Sequence, residues 1–408
     1  MDAGKKGKTA NWFVSPWNFM DEPLANVAFP AEIKLHDVTL RDGEQQAGIV
    51  FTKDEKVRIA GLLAEAGVHR IEAGMPAMSP SDEAAIKEIV KLKLGPQIFA
   101  FARCMKEDVR RAADCGVDGV VVEIPSSEHI IEYAYRWPLS KATELSIEAT
   151  KYAQELGLYV VFFPIDATRA DLEQYLSLIE NVAKNGHMDA LCLVDTFGTL
   201  SPHAVPYFVR ETQKRITCPL ETHFHMDFGH GVTNTILALA CGAQVAHTTV
   251  SGIGERAGNV PMEDLVLSLL MQYGIDIGVR TDLLVELSRT VVGCAGVPIP
   301  PNRPVVGERL YQVESGIISG WLMNCDDEHM TEVFPYRWSV VGQKPAEVVL
   351  GKGSGLPSVA YWLNKLGISA SDDERMAILA EIKATSLRKK GLLDETEFRK
   401  LVAEVKKR

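Results

Sequence analysis

Short β-branched runs alternate with amphipathic helical stretches from about residue 33 to 290, and this alternation constrains the fold more than any other feature. The predicted strands are Ile33–Thr39, Arg70–Ala73, Gln97–Ala102, Gly119–Ile124, Leu158–Phe163, Ala190–Val194, Leu220–His225 and Val245–Val250. Helical patterns such as Asp54–Ala66 and Ser81–Leu92 fill the gaps. Strands alternating with helices imply parallel βαβ units. Eight such units over about 260 residues predict an α/β fold, a (β/α)8 TIM barrel, in preference to an open doubly wound sheet.

The flanks read differently. Residues 1–32 are irregular, with Trp12, Phe13, Trp17 and Phe19 close together. They are expected to form an N-terminal strap packed on the barrel, with a lid or dimer arm as the alternative. The barrel, as the catalytic domain, takes residues 33–295. Pro298, Pro300, Pro301 and Pro304 then break any helix and mark a linker. Residues 296–408 form a C-terminal, mainly helical accessory domain, with helices near Pro357–Leu366, Asp372–Lys389 and Asp394–Lys407.

Charge and cysteine usage narrow the partners. The chain carries 43 Lys+Arg against 54 Asp+Glu, a formal net charge of −11. That argues against a nucleic-acid binder, which would need a basic stripe on its surface. An anionic small molecule stays admissible, because one local arginine overrides a global charge. The 7 cysteines form no Cys-x-x-Cys pair and read as small core residues in a reducing compartment. No run of about 18 apolar residues occurs, and no apolar stretch of a secretory signal lies in the first residues. The expectation is a cytoplasmic protein without a membrane partner.

In a parallel barrel, functional residues lie at the C-terminal strand ends. The first strand ends in Leu35-His36-Asp37-Val38-Thr39-Leu40-Arg41-Asp42-Gly43-Glu44-Gln45-Gln46, crowding charges and amides into a turn. The seventh ends in Thr222-His223-Phe224-His225-Met226-Asp227. On a strand, residues i and i+2 point the same way, so His223 and His225 share a face. Two imidazoles at a barrel mouth need a carboxylate to complete a metal site with open positions for substrate. The eighth strand runs into a loop containing Gly252, Gly254 and Gly258, which reads as a plain turn, a phosphate cradle or a mobile loop delivering Asn259 as an oxygen ligand. The sixth ends in Asp195-Thr196-Phe197-Gly198-Thr199, with hydroxyls placed to grip a carboxylate.

The motifs Thr39-Leu40-Arg41-Asp42-Gly43-Glu44-Gln45, Ile71-Glu72-Ala73-Gly74, Asp195-Thr196-Phe197-Gly198, His223-x-His225 and Gly252-Ile253-Gly254-Glu255-Arg256-Ala257-Gly258-Asn259 occur in this order. Together they resemble the DRE-TIM metallolyase superfamily, the group of isopropylmalate, homocitrate and citramalate synthases and 3-hydroxy-3-methylglutaryl-CoA lyase. The details are more similar to the Claisen-condensing synthases than to the lyase. Glu314-Ser315-Gly316-Ile317 and Val349-Leu350-Gly351-Lys352-Gly353-Ser354-Gly355 resemble the synthases' accessory region, so the likeness covers nearly the whole chain.

The resemblance implies that Asp42, His223 and His225 bind a divalent metal (Mn, Mg, Zn or Co), with Asn259 as a further ligand. The metal would hold a 2-oxo acid as Lewis acid and template. Arg41 would stabilise the developing alkoxide. Thr196 would hydrogen-bond the substrate carboxylate, and Glu44 and Gln45 would shape the site. Arg103 is a candidate for a second substrate carboxylate, with a structural ion pair as its alternative; His36 and Asp166 complete the candidate substrate-binding set. The family's dimers imply a homodimer, with residues 300–345 near the neighbouring active site.

The departures from the family are as informative. In the condensing enzymes the segment after the fifth strand reads Pro/Ser-Glu-Asp; here it is Phe163-Pro164-Ile165-Asp166. Their accessory motif ends Ser-Gly-Ile-His; here it is Ser315-Gly316-Ile317-Ile318. A second family His is Val313, and the Asn after His-x-His is Met226. The family's Glu and His take a proton from the acetyl-CoA methyl, and isoleucine carries no proton. Three readings follow. One is a synthase joining an acyl-CoA to a 2-oxo acid through a different base. The second is a lyase or aldolase cleaving a 2-hydroxy or 4-hydroxy-2-oxo acid, with Asp42, His36, His230 or His247 handling protons. The third is a non-catalytic ligand-binding paralogue.

Overall fold

The computed structural model describes residues 7–25 and 27–407. Eight parallel strands close into a TIM barrel in sequence order: β1 (Lys34–Asp37), β2 (Arg70–Glu72), β3 (Gln97–Arg103), β4 (Gly119–Pro125), β5 (Tyr159–Ile165), β6 (Ala190–Asp195), β7 (Leu220–Phe224) and β8 (Val245–Thr248). Closure is direct, because His36 of β1 lies opposite both Arg70 of β2 and His247 of β8. The open sheet is thereby excluded. All eight expected strands are present, with ends shifted by a residue or two where the chain turns into its loop.

The crossover helices start where local chemistry directs. Thr52 and Glu55 form a reciprocal capping box ahead of the helix Lys53–Glu65. Ser79 caps Pro80–Leu92, with proline in its first turn. Each helix covers a strand face, and the strands between them are almost wholly buried.

Inside, the barrel has two characters. Phe99, Phe101, Val121, Val161, Phe163, Cys192 and Val194, from β3 to β6, pack into one apolar cluster. The other half is lined by polar groups paired across strands. Arg70 donates to Glu221 at 2.6 Å, and Nε2 of His247 lies 2.8 Å from the other oxygen of that carboxylate. Buried ions survive only when paired in this way.

The chain divides into two compact units, Met20–Ile299 and a second built from the N-terminal residues to Phe19 with Pro300–Arg408. The second unit holds a short parallel pair, β9 (Gln312–Val313) and β10 (Glu347–Val348). Helices Leu356–Lys365, Asp372–Lys389 and Glu395–Val405 pack with it around Trp362, Ile378, Ile382 and Phe398. The Phe13 N–H donates to Pro335 O, and the Arg337 N–H to Asn11 O, both at 2.8 Å. Backbone pairing therefore ties residues 11–13 to the accessory region, whereas Ala28, nearer the barrel, donates to Ala240 O at 2.9 Å. Residues 1–6 lie outside the described residues. No described helix is long and apolar enough to cross a membrane.

Candidate metal centre and active site

β7 presents His223 and, just past its end, His225 on one face, as the strand period requires. Their Nε2 atoms stand 3.2 Å apart. Asp42, in the turn after β1, places Oδ2 at 3.2 Å from His223 Nε2 and 3.9 Å from His225 Nε2. All three side chains are buried, at 2–4% exposure. Burial holds the His223 pKa down at about 3 and lowers that of His225, so both rings are neutral. Burial would raise the Asp42 pKa, but Arg41 and the two imidazoles hold it well below the usual range. One carboxylate and two neutral imidazoles thus converge on a single point.

That donor set fits a divalent cation. Metal–nitrogen bonds of ~2.0–2.1 Å separate adjacent ligand atoms by roughly 3.0–3.4 Å; the two spacings at His223 Nε2, both 3.2 Å, fall in that range, and the His225–Asp42 spacing, 3.9 Å, is wider. Nδ1 of each imidazole has no partner among the described residues. Two imidazole nitrogens and a carboxylate oxygen facing one another are the arrangement a bound cation relieves.

The glycine-rich loop after β8 closes over this point. The Met226 N–H donates to Gly258 O at 2.9 Å, docking the loop on the end of β7. Asn259 Nδ2 donates to Asp42 Oδ1 at 2.9 Å and to Ile253 O at 3.2 Å. Its amide nitrogen, rather than its oxygen, faces the carboxylate, so here Asn259 orients Asp42. Glycine is required at two positions. At Gly254 (φ +151°) a Cβ would stand 2.2 Å from Asn259 Nδ2, and at Gly258 (φ +81°) 1.9 Å from Gly252 O.

Arg41 lies beside the site at 7% exposure, its guanidinium 4.1 Å from the Phe101 ring centroid. Nε donates to Glu72, and Nη1 to Asp42 at 2.8 Å and to Gln45 Oε1 at 3.2 Å. Nη2 is buried without a protein partner among the described residues. Burial opposes the charge, yet Glu72 and Asp42 outweigh it and raise the Arg41 pKa. A fixed cation with one free donor is suited to an oxyanion.

The other expected residues fall into distinct places. Glu44 accepts from the Phe51 N–H at 2.7 Å and pairs with buried Lys56 at 2.6 Å, which fixes one wall of a cavity of about 340 Å³. Leu40, Arg41, Gln45, Ile49 and Met75 also line it. Thr196 Oγ1 accepts from the Asp166 N–H at 2.8 Å and keeps its own proton to donate. Arg103 forks onto Asp108 at 2.7 and 3.1 Å, taking up the structural ion pair. Asp166 sits at φ +60°, fully buried, held by Ser127 at 2.6 Å and Arg169 at 2.7 Å; it braces the turn after β5. His36 is fully buried between Phe99 and His247, in a layer that also holds Glu72 and Glu221, and does not join the three converging donors.

Two groups escaped the sequence reading in their roles. Glu72 grips Arg41, and Glu123 lies inside the mouth on β4. A lone glutamate inside an apolar strand was the available signal at Glu123, in the run Val120-Val121-Val122-Glu123-Ile124.

A metal-capable cluster at the mouth of a (β/α)8 barrel, flanked by an arginine, defines a class, and comparison with known proteins places the chain within it. Residues 32–291 match the HMGL-like family, and the chain belongs to that family. It is 36% identical over 388 residues to the homocitrate synthase AksA of Methanothermobacter thermautotrophicus, covering 95% of this chain and 97% of that protein. It is 35% identical over 350 residues to a 2-isopropylmalate synthase of Methanocaldococcus jannaschii, covering 86% of this chain and 66% of the relative. Among solved structures, the HMG-CoA lyase of Bacillus subtilis shares the fold, with TM-score 0.60 and 22% identity over 67% of this chain and 96% of the lyase.

Proposed function

We propose that the protein is a divalent-metal-dependent enzyme that condenses an acyl-CoA with a 2-oxo acid. The carrying observation is the convergence of Asp42, His223 and His225 beside Arg41 with its free Nη2. The synthases to which the chain is similar along most of its length support the same reading.

Asp42, His223 and His225 hold the cation; the donor set suits Mn, Mg, Zn or Co. When bound, the cation supplies Lewis-acid polarisation of the 2-oxo group. Arg41 donates from Nη2 to the oxygen that gains charge as the C2 carbonyl is attacked. Glu72 and Asp42 keep the guanidinium from rotating away. Thr196 donates its hydroxyl proton to the substrate carboxylate, and Gln45 keeps Arg41 oriented.

One observation favours a second reading, cleavage of a hydroxy-oxo acid at the same centre. Ile165 packs against the apolar cluster inside the barrel, where the condensing enzymes that the sequence resembles carry a glutamate. Ile318, in place of their histidine, packs against the core of the accessory unit. Metal-loaded protein incubated with a panel of 2-oxo acids, with and without acetyl-CoA, separates the two. Thiol release supports condensation; 2-oxo acid formation from hydroxy-oxo acids without thiol release supports cleavage. A homodimer is part of the proposal, and a monomer at micromolar concentration in sedimentation would remove it.

A further inference from the structure

We propose that Glu123 is the general base that takes the α-proton of the acyl thioester during condensation. The assignment rests on the condensation reading. It begins with strand geometry. Val121 packs inside the barrel with Phe101, Val161 and Phe163. Glu123, two residues further along β4, shares that inward face and stands one step nearer the C-terminal mouth. Its Cα is paired with Arg103 on β3 and with Phe163 on β5. The Phe163 ring in turn lies 5.0 Å from the His223 ring and 5.9 Å from the Arg41 guanidinium carbon. The carboxyl therefore occupies the inward row that borders both the metal ligands and the oxyanion donor.

The position relative to Ile165 matters. Pro125 is paired with Ile165, so Glu123 is the diagonal neighbour, on the adjacent strand, of the residue that the family resemblance sets in the place of the condensing enzymes' glutamate. A carboxyl displaced by one strand can serve the same mouth.

The surroundings leave this carboxyl without a structural task. At 8% exposure it is held by burial and by charges at a distance, with no hydrogen bond among the described residues contributing to its pKa. Arg41, from the turn after β1, and Arg103, on β3, favour its ionised form. Asp108, from the helix Lys106–Asp114, disfavours it and also shares the charge of Arg103. Tyr135 and Cys104 are the other titratable groups that feel it, and burial keeps both protonated. Burial prevails over the arginines and brings Glu123 to a pKa of about 7. A buried carboxyl that titrates near neutrality costs stability when ionised and suits proton transfer at physiological pH.

The step balances. The C–H bond next to the thioester carbonyl breaks, and its proton forms an O–H bond with the Glu123 carboxylate. The electron pair left behind becomes the enolate and forms the C–C bond to C2 of the 2-oxo acid. The C2 oxygen gains the negative charge beside Arg41 Nη2 and takes the proton back from Glu123, which restores the carboxylate. Water hydrolyses the thioester to release the free thiol of CoA.

The test uses full-length, metal-loaded protein with acetyl-CoA and the 2-oxo acid giving the fastest thiol release. Glu123→Gln is expected to lower kcat by ~10²–10⁴. The limb of the kcat/KM profile that rises through about pH 7 should vanish with it. Metal content and the KM for the 2-oxo acid should stay within about twofold. Thermal stability at pH 8 should equal or exceed wild type, since no buried charge remains. Unchanged turnover and pH profile in Glu123→Gln would overturn the assignment while leaving condensation standing. No thiol release by the wild type with any 2-oxo acid would overturn condensation and the assignment together.

Discussion

Glu72 grips Arg41 through Nε, and Nη2 is left buried without a protein partner among the described residues. The pair spans β2 and the turn after β1, so the barrel itself holds the guanidinium in place. Burial would raise the Glu72 pKa, but Arg41 and His36 bring it down to about 2, and the carboxylate stays charged through the working range. Arg41→Ala should lower turnover by ~10²–10³, the scale of one lost oxyanion donor. Arg41→Lys should rescue little, because a point ammonium cannot hold Glu72, Asp42 and an oxyanion together. Metal content measured by atomic emission should remain near wild type in both. Normal turnover in the alanine variant would refute the role.

The three converging donors predict tight dependence on a divalent cation. Dialysis against a chelator should abolish activity, and adding Mn, Mg, Zn or Co back should restore it. His223→Ala and Asp42→Ala should each weaken cation binding by at least ~10-fold in calorimetric titration, as loss of a direct ligand exceeds the usual loss from an outer partner. Full activity in protein shown to be free of metal would end the proposal.

Gly254 offers a test of loop geometry that removes no ligand. A Cβ there meets the Asn259 amide and stands 3.1 Å from Asp42 Oδ1. Gly254→Ala should push Asn259 off Asp42 and weaken cation affinity and turnover together. Gly274→Ala, also at positive φ but with open space around its Cβ position, is the control for backbone strain alone. Equal behaviour of the two variants would show that Asn259 does not position Asp42.

The eight strands and the His-x-His pair were legible because both depend on period: alternation of βα units for the barrel, spacing of two for the imidazoles. The Asp42 turn was legible through its motif. What stayed hidden depends on pairing across the barrel. Arg70 meets Glu221 at a separation of 151 residues, and no local pattern carries that information. The same holds for the Arg41–Glu72 grip. The surroundings of His36 and Asp166 stayed hidden for a related reason. Each sits in a charged motif near a strand end, but one turns down among buried rings and the other folds back onto Ser127 and Arg169.

His36 predicts a response of stability to pH. It is fully buried beside the His247 ring, at a centroid distance of 4.3 Å, and burial, with His247, lowers its pKa from 6.5 to about 4. The folded chain thus keeps this imidazole neutral over a range in which the unfolded chain protonates it. Between pH 6.5 and about 4 the unfolded state binds the extra proton, so this contribution is complete above 6.5 and falls on acidification. The full loss is on the order of 3 kcal/mol for a shift of this size. His36→Leu removes the titrating group. It exposes the structure to a packing change at neutral pH, but the stability difference between wild type and variant should move in the variant's favour as pH drops from 7 to 4.5. Urea unfolding of metal-free protein at several pH values measures this directly. A difference that stays constant across that range would show that His36 does not remain neutral in the folded barrel.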